Sequence, residues 1–288
     1  MCWCSSSGCG TTRAIDAPSY PGPAGMRAAV LGRPVGHSLS PRLHRAAYAA
    51  LGLDDWSYDA LDVGAEDLPV LLAGLGPEWR GFSVTMPCKQ AAVAVADEVD
   101  QLPRLLGAAN TLLRTDAGWR AENTDVAGVG MALQLGGVEQ VEHAAVLGAG
   151  GTAAAAATAL ASLGARQVDV VVREPARAAD LLRVLAALGV SADVQRLDRT
   201  GTVTAPVVVS TVPADGQAAV ADLAWRPGQT VLDVLYAGWP TQLAQRVQAA
   251  GGRTISGLEV LFWQATAQVE LMTGRPAPIE AMRAALDA

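Results

Sequence analysis

From residue 144 onward the chain alternates short apolar runs with helix-length segments, and the first junction between them reads Gly148, Ala149, Gly150, Gly151, Thr152, Ala153. Nothing else in the sequence restricts the possible folds as much. Residues 144–147, 168–172, 192–195, 207–210, 230–234 and 254–255 have the apolar, β-branched character of strands, whereas the stretch from the turn to 163, then 176–188 and 242–250, suit helices. Strands that run the same way need long crossovers, and intervening helices supply them, so this half predicts a parallel, doubly wound α/β sheet. Residues 144–165 carry no charge over roughly the length of a transmembrane helix. They are mostly alanine and glycine, which contribute little to insertion, and the glycines cluster at one end as turn chemistry requires. A strand, a tight turn and a helix are expected instead.

Gly148, Ala149, Gly150, Gly151, Thr152 and Ala153 stand where a dinucleotide-binding turn requires them, after a strand and at a helix start. The first glycine permits the tight turn, the second lets backbone approach a pyrophosphate, a small third residue lets helix and strand close up, and the helix N-terminus faces the anion. A glycine-rich turn that binds nothing is the bland alternative. The second strand ends near Arg173, where an acidic residue would hold the ribose of NAD and an arginine would accept the 2′-phosphate of NADP. Arg173 and Arg177 favour NADP over NAD, while Glu174 would repel that phosphate if it pointed inward.

The net charge of −7 and pI near 5.0 provide no basic footprint for nucleic acid or an anionic membrane, so a small-molecule partner is expected. Cys2, Cys4 and Cys9 crowd the N-terminus and Cys88 stands alone, which builds neither a disulfide framework nor a metal site and suits a reducing cytoplasm. The opening stretch to Gly25 lacks periodicity and an apolar signal-peptide core, so disorder is expected there, with translation beginning at Met26. The sequence is equally compatible with a monomer and a homodimer.

The chain before residue 126 reads as a smaller α/β unit. Strands are expected at 27–31, 56–62, 81–84, 110–113 and 119–121, and helices from Pro41 to 51 with Ser40 as N-cap, at 68–72, from Pro87 onward and at 125–135. The helices at 258–272 and 279–286 have no strand after them and are expected to pack back on this first unit. Lys89 is the only lysine among twenty-one basic residues and falls in the first turn of the helix expected at Pro87. An ε-ammonium is tuned by burial and neighbours, whereas a guanidinium stays charged, so a lone lysine in an arginine-rich chain is a candidate for proton transfer.

Residues 32–45 read GRPVGHSLSPRLHR, 81–89 read GFSVTMPCK, 107–112 read GAANTL and 122–125 read ENTD. With DVLYAGWPTQL at 233–243 and GLEVLFWQA at 257–265, these resemble, in order, the motifs of the shikimate dehydrogenase family. The resemblance covers nearly everything after Met26. It implies a substrate domain over 26–125, a Rossmann NADP-binding domain over 126–257 and C-terminal helices over 258–288. The implied activity is the reversible, NADPH-dependent reduction of 3-dehydroshikimate to shikimate in chorismate and aromatic amino-acid biosynthesis. A relative acting on quinate with NAD, or a nucleotide-binding relative without turnover, is the alternative.

By that resemblance Lys89 and Asp125 are the catalytic pair, and either donates the proton or relays it through the other. A general acid in reach of the substrate oxygen contributes roughly 10²- to 10⁴-fold. At the start of a helix Asp125 also suits N-capping, a role compatible with catalysis. Ser38 and Ser40 offer hydroxyls and a helix N-terminus to the substrate carboxylate. Thr85, Asn110, Tyr236 and Gln264 are implied around the ring hydroxyls, and Ser210, Thr211, Val212 and Gly257 on the cofactor side. The sequence departs from the family pattern at Ser83, where an asparagine is usual, and at Val172, Glu174 and the Ser210 turn.

Overall fold

The computed structural model describes residues 25–287. The expectations for residues 1–24, including Cys2, Cys4 and Cys9, lie outside the described residues. The described residues form two six-stranded sheets, each covered by helices on both faces.

The first sheet has the order β2-β1-β3-β5-β6-β4. It comprises β1 (Arg27–Gly32), β2 (Ser57–Asp62), β3 (Trp79–Val84), β4 (Glu98–Val99), β5 (Thr111–Thr115) and β6 (Gly118–Glu122). β1 pairs in parallel with β2 and β3, whereas β5 runs antiparallel to both β3 and β6. Side chains of a strand alternate between faces, and β1 shows the consequence. Ala29 and Leu31 enter the core beneath α2 (Leu68–Ala73) and α3 (Lys89–Val95), while Ala28 and Val30 enter the core beneath α1 (Ser40–Ala50). β4 and the short α4 (Gln101–Leu106) occupy a stretch with no readable periodicity.

The second sheet is parallel throughout, in the order β12-β11-β10-β7-β8-β9. Its strands are β7 (His143–Leu147), β8 (Gln167–Val172), β9 (Ser191–Arg196), β10 (Val207–Ser210), β11 (Thr230–Asp233) and β12 (Arg253–Ser256). The strand order reverses between β7 and β10, the point where ligands bind beyond the carboxyl ends of such sheets. α5 (Asp125–Leu135), α6 (Gly151–Ser162) and α7 (Ala179–Ala187) cover one face, and α8 (Gln217–Ala221) and α9 (Gln242–Ala249) the other. Ala153, Ala155, Ala156 and Ala157 are fully buried, and their methyl groups make α6 thin enough to lie between the sheet and its neighbouring helices. No helix among the described residues is long and apolar enough to cross a membrane.

α10 (Gly257–Thr273) packs along α5 and, with α11 (Ile279–Asp287), returns to the first unit. Phe262, Val269, Met272 and Met282 complete the core that contains Leu43 and Tyr58.

Three local expectations are corrected. Ser40 is not the N-cap of α1: Leu39 already has helical backbone at φ −84° and ψ −4°, and Ser40 is the first helical residue. Its N–H is instead accepted by Ser38 Oγ at 3.3 Å. Pro87 does not open α3, because the Cys88 N–H closes a turn onto the Thr85 carbonyl at 2.8 Å and the helix begins at Lys89. Asp125 does not cap α5 either, since Asn123 Oδ1 accepts the Asp125 N–H at 3.0 Å and leaves its carboxylate free for other partners.

Candidate active site

A cleft of about 300 Å³ opens where α10, the loop after β11, the loop after β1 and the first turns of α3, α5 and α6 converge. Ser38, Ser40, Thr85, Lys89, Asn110, Asp125, Thr152, Tyr236, Gly257 and Gln264 line it. Lys89 stands first in α3 and Asp125 first in α5. Lys89 Nζ donates to Asp125 Oδ2 at 2.5 Å, with the two side chains 19% and 10% exposed. At the N-terminus of α5 the carboxylate also meets the positive end of the helix dipole. Lys89 Nζ lies 3.5 Å from Thr152 Oγ1, so the proposed proton-transfer pair abuts the first turn of α6.

Asn110 organises the acidic side of the cleft. Its Nδ2 faces Asp125 Oδ1 at 2.9 Å, Thr124 Oγ1 at 2.8 Å and Gln264 Oε1 at 3.2 Å, more acceptors than it has hydrogens. Its Oδ1 accepts from the Thr124 N–H at 2.8 Å and from Thr111 Oγ1 at 2.9 Å. Thr124 Oγ1 in turn donates to the Gln264 carbonyl at 3.0 Å, tying the start of α5 to α10. Tyr236 lines the side formed by the loop after β11, and burial raises the pKa of its phenol. That loop is held by Asp233, which accepts from Thr241 Oγ1 at 2.7 Å and from the Leu235 N–H at 3.3 Å.

Gly148, Ala149, Gly150, Gly151 and Ala153 lie outside this cleft, as do Arg173, Arg177, Ser210, Thr211 and Val212. They occupy the carboxyl edge of the second sheet, beside the switch between β7 and β10. Gly148 has φ +105°, and a Cβ there would sit 2.5 Å from Thr211 Oγ1, so only glycine fits. Thr211 itself is engaged with the Leu147 carbonyl, through its N–H at 2.8 Å and its hydroxyl at 3.0 Å. A Cβ at Gly150, by contrast, would have no heavy atom within 4 Å, which leaves the turn open to a ligand above the N-terminus of α6. The Ser210 hydroxyl is buried without a partner at the same edge. Arg173, Glu174 and Arg177 are exposed. Arg196 on the neighbouring strand has a raised pKa, first through its hydrogen bond to Asp198, with a smaller contribution from the nearby Glu174 charge. Glu174 therefore has a cation within electrostatic reach.

Gly257 is required for a packing reason, since a Cβ there would lie 2.0 Å from the Val234 carbonyl oxygen where α10 starts. The motifs alone did not point to Gln268, His37 or Val260, which also line the cleft. Gln268 follows Gln264 by four residues, one helical turn, and that spacing was its available signal.

A family profile described as the shikimate dehydrogenase substrate binding domain matches residues 30–112, and one described as the shikimate 5′-dehydrogenase C-terminal domain matches residues 257–286. The NADP(+) shikimate dehydrogenase of Anaeromyxobacter dehalogenans is 39% identical over 269 residues, covering 90% of this chain and 95% of that protein. The crystal structure of Mycobacterium tuberculosis shikimate dehydrogenase superposes with a TM-score of 0.84 at 49% identity, covering 91% of this chain and 99% of that one. Quinate dehydrogenase from Corynebacterium glutamicum, solved in complex with NAD, has a TM-score of 0.81 at 28% identity, with coverages of 91% and 98%. Sequence matches of this extent, on a chain with this site geometry, mean that it belongs to the shikimate dehydrogenase family.

Proposed function

We propose that this chain is an NADP-dependent shikimate dehydrogenase, reversibly reducing 3-dehydroshikimate to shikimate in chorismate and aromatic amino-acid biosynthesis. The observation that carries the proposal is the Lys89–Asp125 pair, oriented by Asn110 on the floor of the cleft and abutting the first turn of α6. We assign residues 26–125 to substrate binding, 126–257 to the cofactor and 258–288 to closing the cleft, in a cytoplasmic enzyme whose partners are small molecules.

NADPH, when bound, supplies the hydride. Gly148 to Ala153, Ser210 to Val212 and Gly257 would border it, and Arg173 and Arg177 would take the 2′-phosphate. The open turn and the orphaned Ser210 hydroxyl fit that role. Lys89 and Asp125 manage the proton: Nζ donates to Oδ2, so that one group faces the substrate oxygen while the other replenishes it. Ser38 and Ser40, at the N-terminus of α1, meet the substrate carboxylate with hydroxyls and a favourable dipole. Thr85, Tyr236 and Gln264 contact ring hydroxyls, and Asn110 keeps Asp125 oriented towards them.

Purified protein assayed with shikimate and quinate, each against NADP and NAD, tests the reading. The highest kcat/KM is expected for shikimate with NADP. A higher value for quinate with NAD would overturn it.

A further inference from the structure

From Tyr58 through Ser83 and Gln268, which line the cleft, runs a series of buried polar side chains that ends at Asn110 and Asp125. The Tyr58 hydroxyl donates to Ser83 Oγ at 2.5 Å, and Ser83 donates to Gln268 Oε1 at 2.6 Å. Gln268 Nε2 donates to Thr111 Oγ1 and to the Asn110 carbonyl, both at 2.9 Å. Thr111 donates to Asn110 Oδ1 at 2.9 Å, and Asn110 Nδ2 reaches Asp125 Oδ1 at 2.9 Å. Tyr58, Thr111 and Gln268 are fully buried, and Ser83 is 4% exposed.

The donors all point the same way, and each constrains the next. Ser83 has one hydroxyl hydrogen; spending it on Gln268 leaves its oxygen to accept from Tyr58. Gln268 must then present its oxygen to Ser83 and its NH₂ to Thr111 and the Asn110 carbonyl. Thr111, whose oxygen accepts from Gln268, has its own hydrogen left for Asn110 Oδ1. With Oδ1 occupied by Thr111 and by the Thr124 N–H, Asn110 has only its NH₂ to turn towards Asp125. The reversed amide would set two oxygens against each other at the carboxylate, with no hydrogen between them.

We propose that Ser83 and Gln268 are positioning residues of the reaction: the relay from Tyr58, acting with the Thr124 N–H that donates to the same Asn110 oxygen, holds the Asn110 amide and thereby the orientation of Asp125 against Lys89. The inference rests on the reading of Lys89 and Asp125 as the proton-transfer pair. At Ser83 a single oxygen accepts from Tyr58 and donates to Gln268 at 2.5 and 2.6 Å.

The test compares the native protein with Ser83→Ala, Ser83→Thr and Gln268→Leu, measuring kcat, both KM values and the thermal midpoint. Misorientation of a reacting group costs up to roughly 100-fold. Ser83→Ala is therefore expected to lower kcat by roughly 10- to 100-fold while the KM for NADP stays unchanged, and Ser83→Thr, which restores the hydroxyl, to recover most of the loss. Gln268→Leu is expected to match Ser83→Ala; if it does not fold, the serine pair decides the matter alone. Native-like kcat in Ser83→Ala, or equal losses in Ser83→Ala and Ser83→Thr, would overturn the proposal. A native protein without turnover of shikimate would instead overturn the reading of the site, and this inference with it.

Discussion

Lys89 donates to the Asp125 carboxylate at 2.5 Å although the two are 36 residues apart, each at the first position of its own helix. An arginine at 89 would preserve the charge but neither the compact ammonium nor its capacity to release a proton. Lys89→Arg is expected to lose roughly 10²- to 10⁴-fold in kcat with a modest rise in the KM for shikimate. Asp125→Asn is expected to lower kcat more than it weakens binding, the pattern of an interaction made in the transition state. Steady-state kinetics checks both. A near-native kcat in Lys89→Arg would mean that the lysine only binds.

Arg173 is exposed at the end of β8, and the neighbouring Glu174 lies within electrostatic reach of Arg196. Arg173→Ala is expected to raise the KM for NADP while leaving that for NAD nearly unchanged, because only NADP carries the 2′-phosphate. Equal effects on the two cofactors would argue against the contact.

His44 is fully buried and stacks on Tyr58 at a centroid distance of 4.0 Å, and neither ring nitrogen has a hydrogen-bond partner. Burial lowers its pKa to about 3, against a weaker opposing pull from Gln268. In the unfolded chain the imidazole titrates near its ordinary value of about 6.5, so below that pH the unfolded state binds a proton that the folded state refuses. Stability is fully present above about 6.5 and is lost as pH falls towards about 3. His44→Phe keeps an aromatic ring against Tyr58 and should flatten this acid dependence. Thermal midpoints across that window provide the measurement, and an unchanged slope would count against it.

Glu122, three residues before Asp125, shows the opposite slope. Desolvation, followed by the hydrogen bond and charge of Asp100, raises its pKa to about 7 despite the opposing Arg120. Between its ordinary value of 4.5 and about 7 the folded state holds a proton that the unfolded state releases. Its contribution is therefore fully present below about 4.5 and lost as pH rises through about 7. Glu122→Gln mimics the protonated form, so it should be more stable than the native protein at about pH 8 and similar to it at about pH 4. Urea midpoints at the two pH values test this; a variant less stable than native at the higher pH would contradict it.

The alternation after residue 144, the glycine turn and the singular Lys89 were legible because hydrophobic periodicity and turn chemistry are properties of neighbouring residues. β4, α4 and α8 were not: at two, six and five residues they are short and, unlike the equally short α2, lie in stretches where no period shows. Caps shifted by a residue for a related reason. Whether Ser40 or Leu39 precedes α1 depends on backbone angles imposed by the loop after β1, and Asn123 rather than Asp125 serves α5 because Asp125 is drawn to Lys89 and Asn110.

Sequence by itself determined the α/β class, the second sheet and, through family motifs, the names of the site residues. Only the tertiary structure decided which of them meet. Ser83 and Gln268 are 185 residues apart and bond at 2.6 Å because α10 leaves the second sheet and lies against the first. The direction of each hydrogen bond between them and Asp125 follows from burial, where every donor must find an acceptor among the few atoms in reach. No local pattern encodes that constraint, because it arises when distant elements exclude water from a common space.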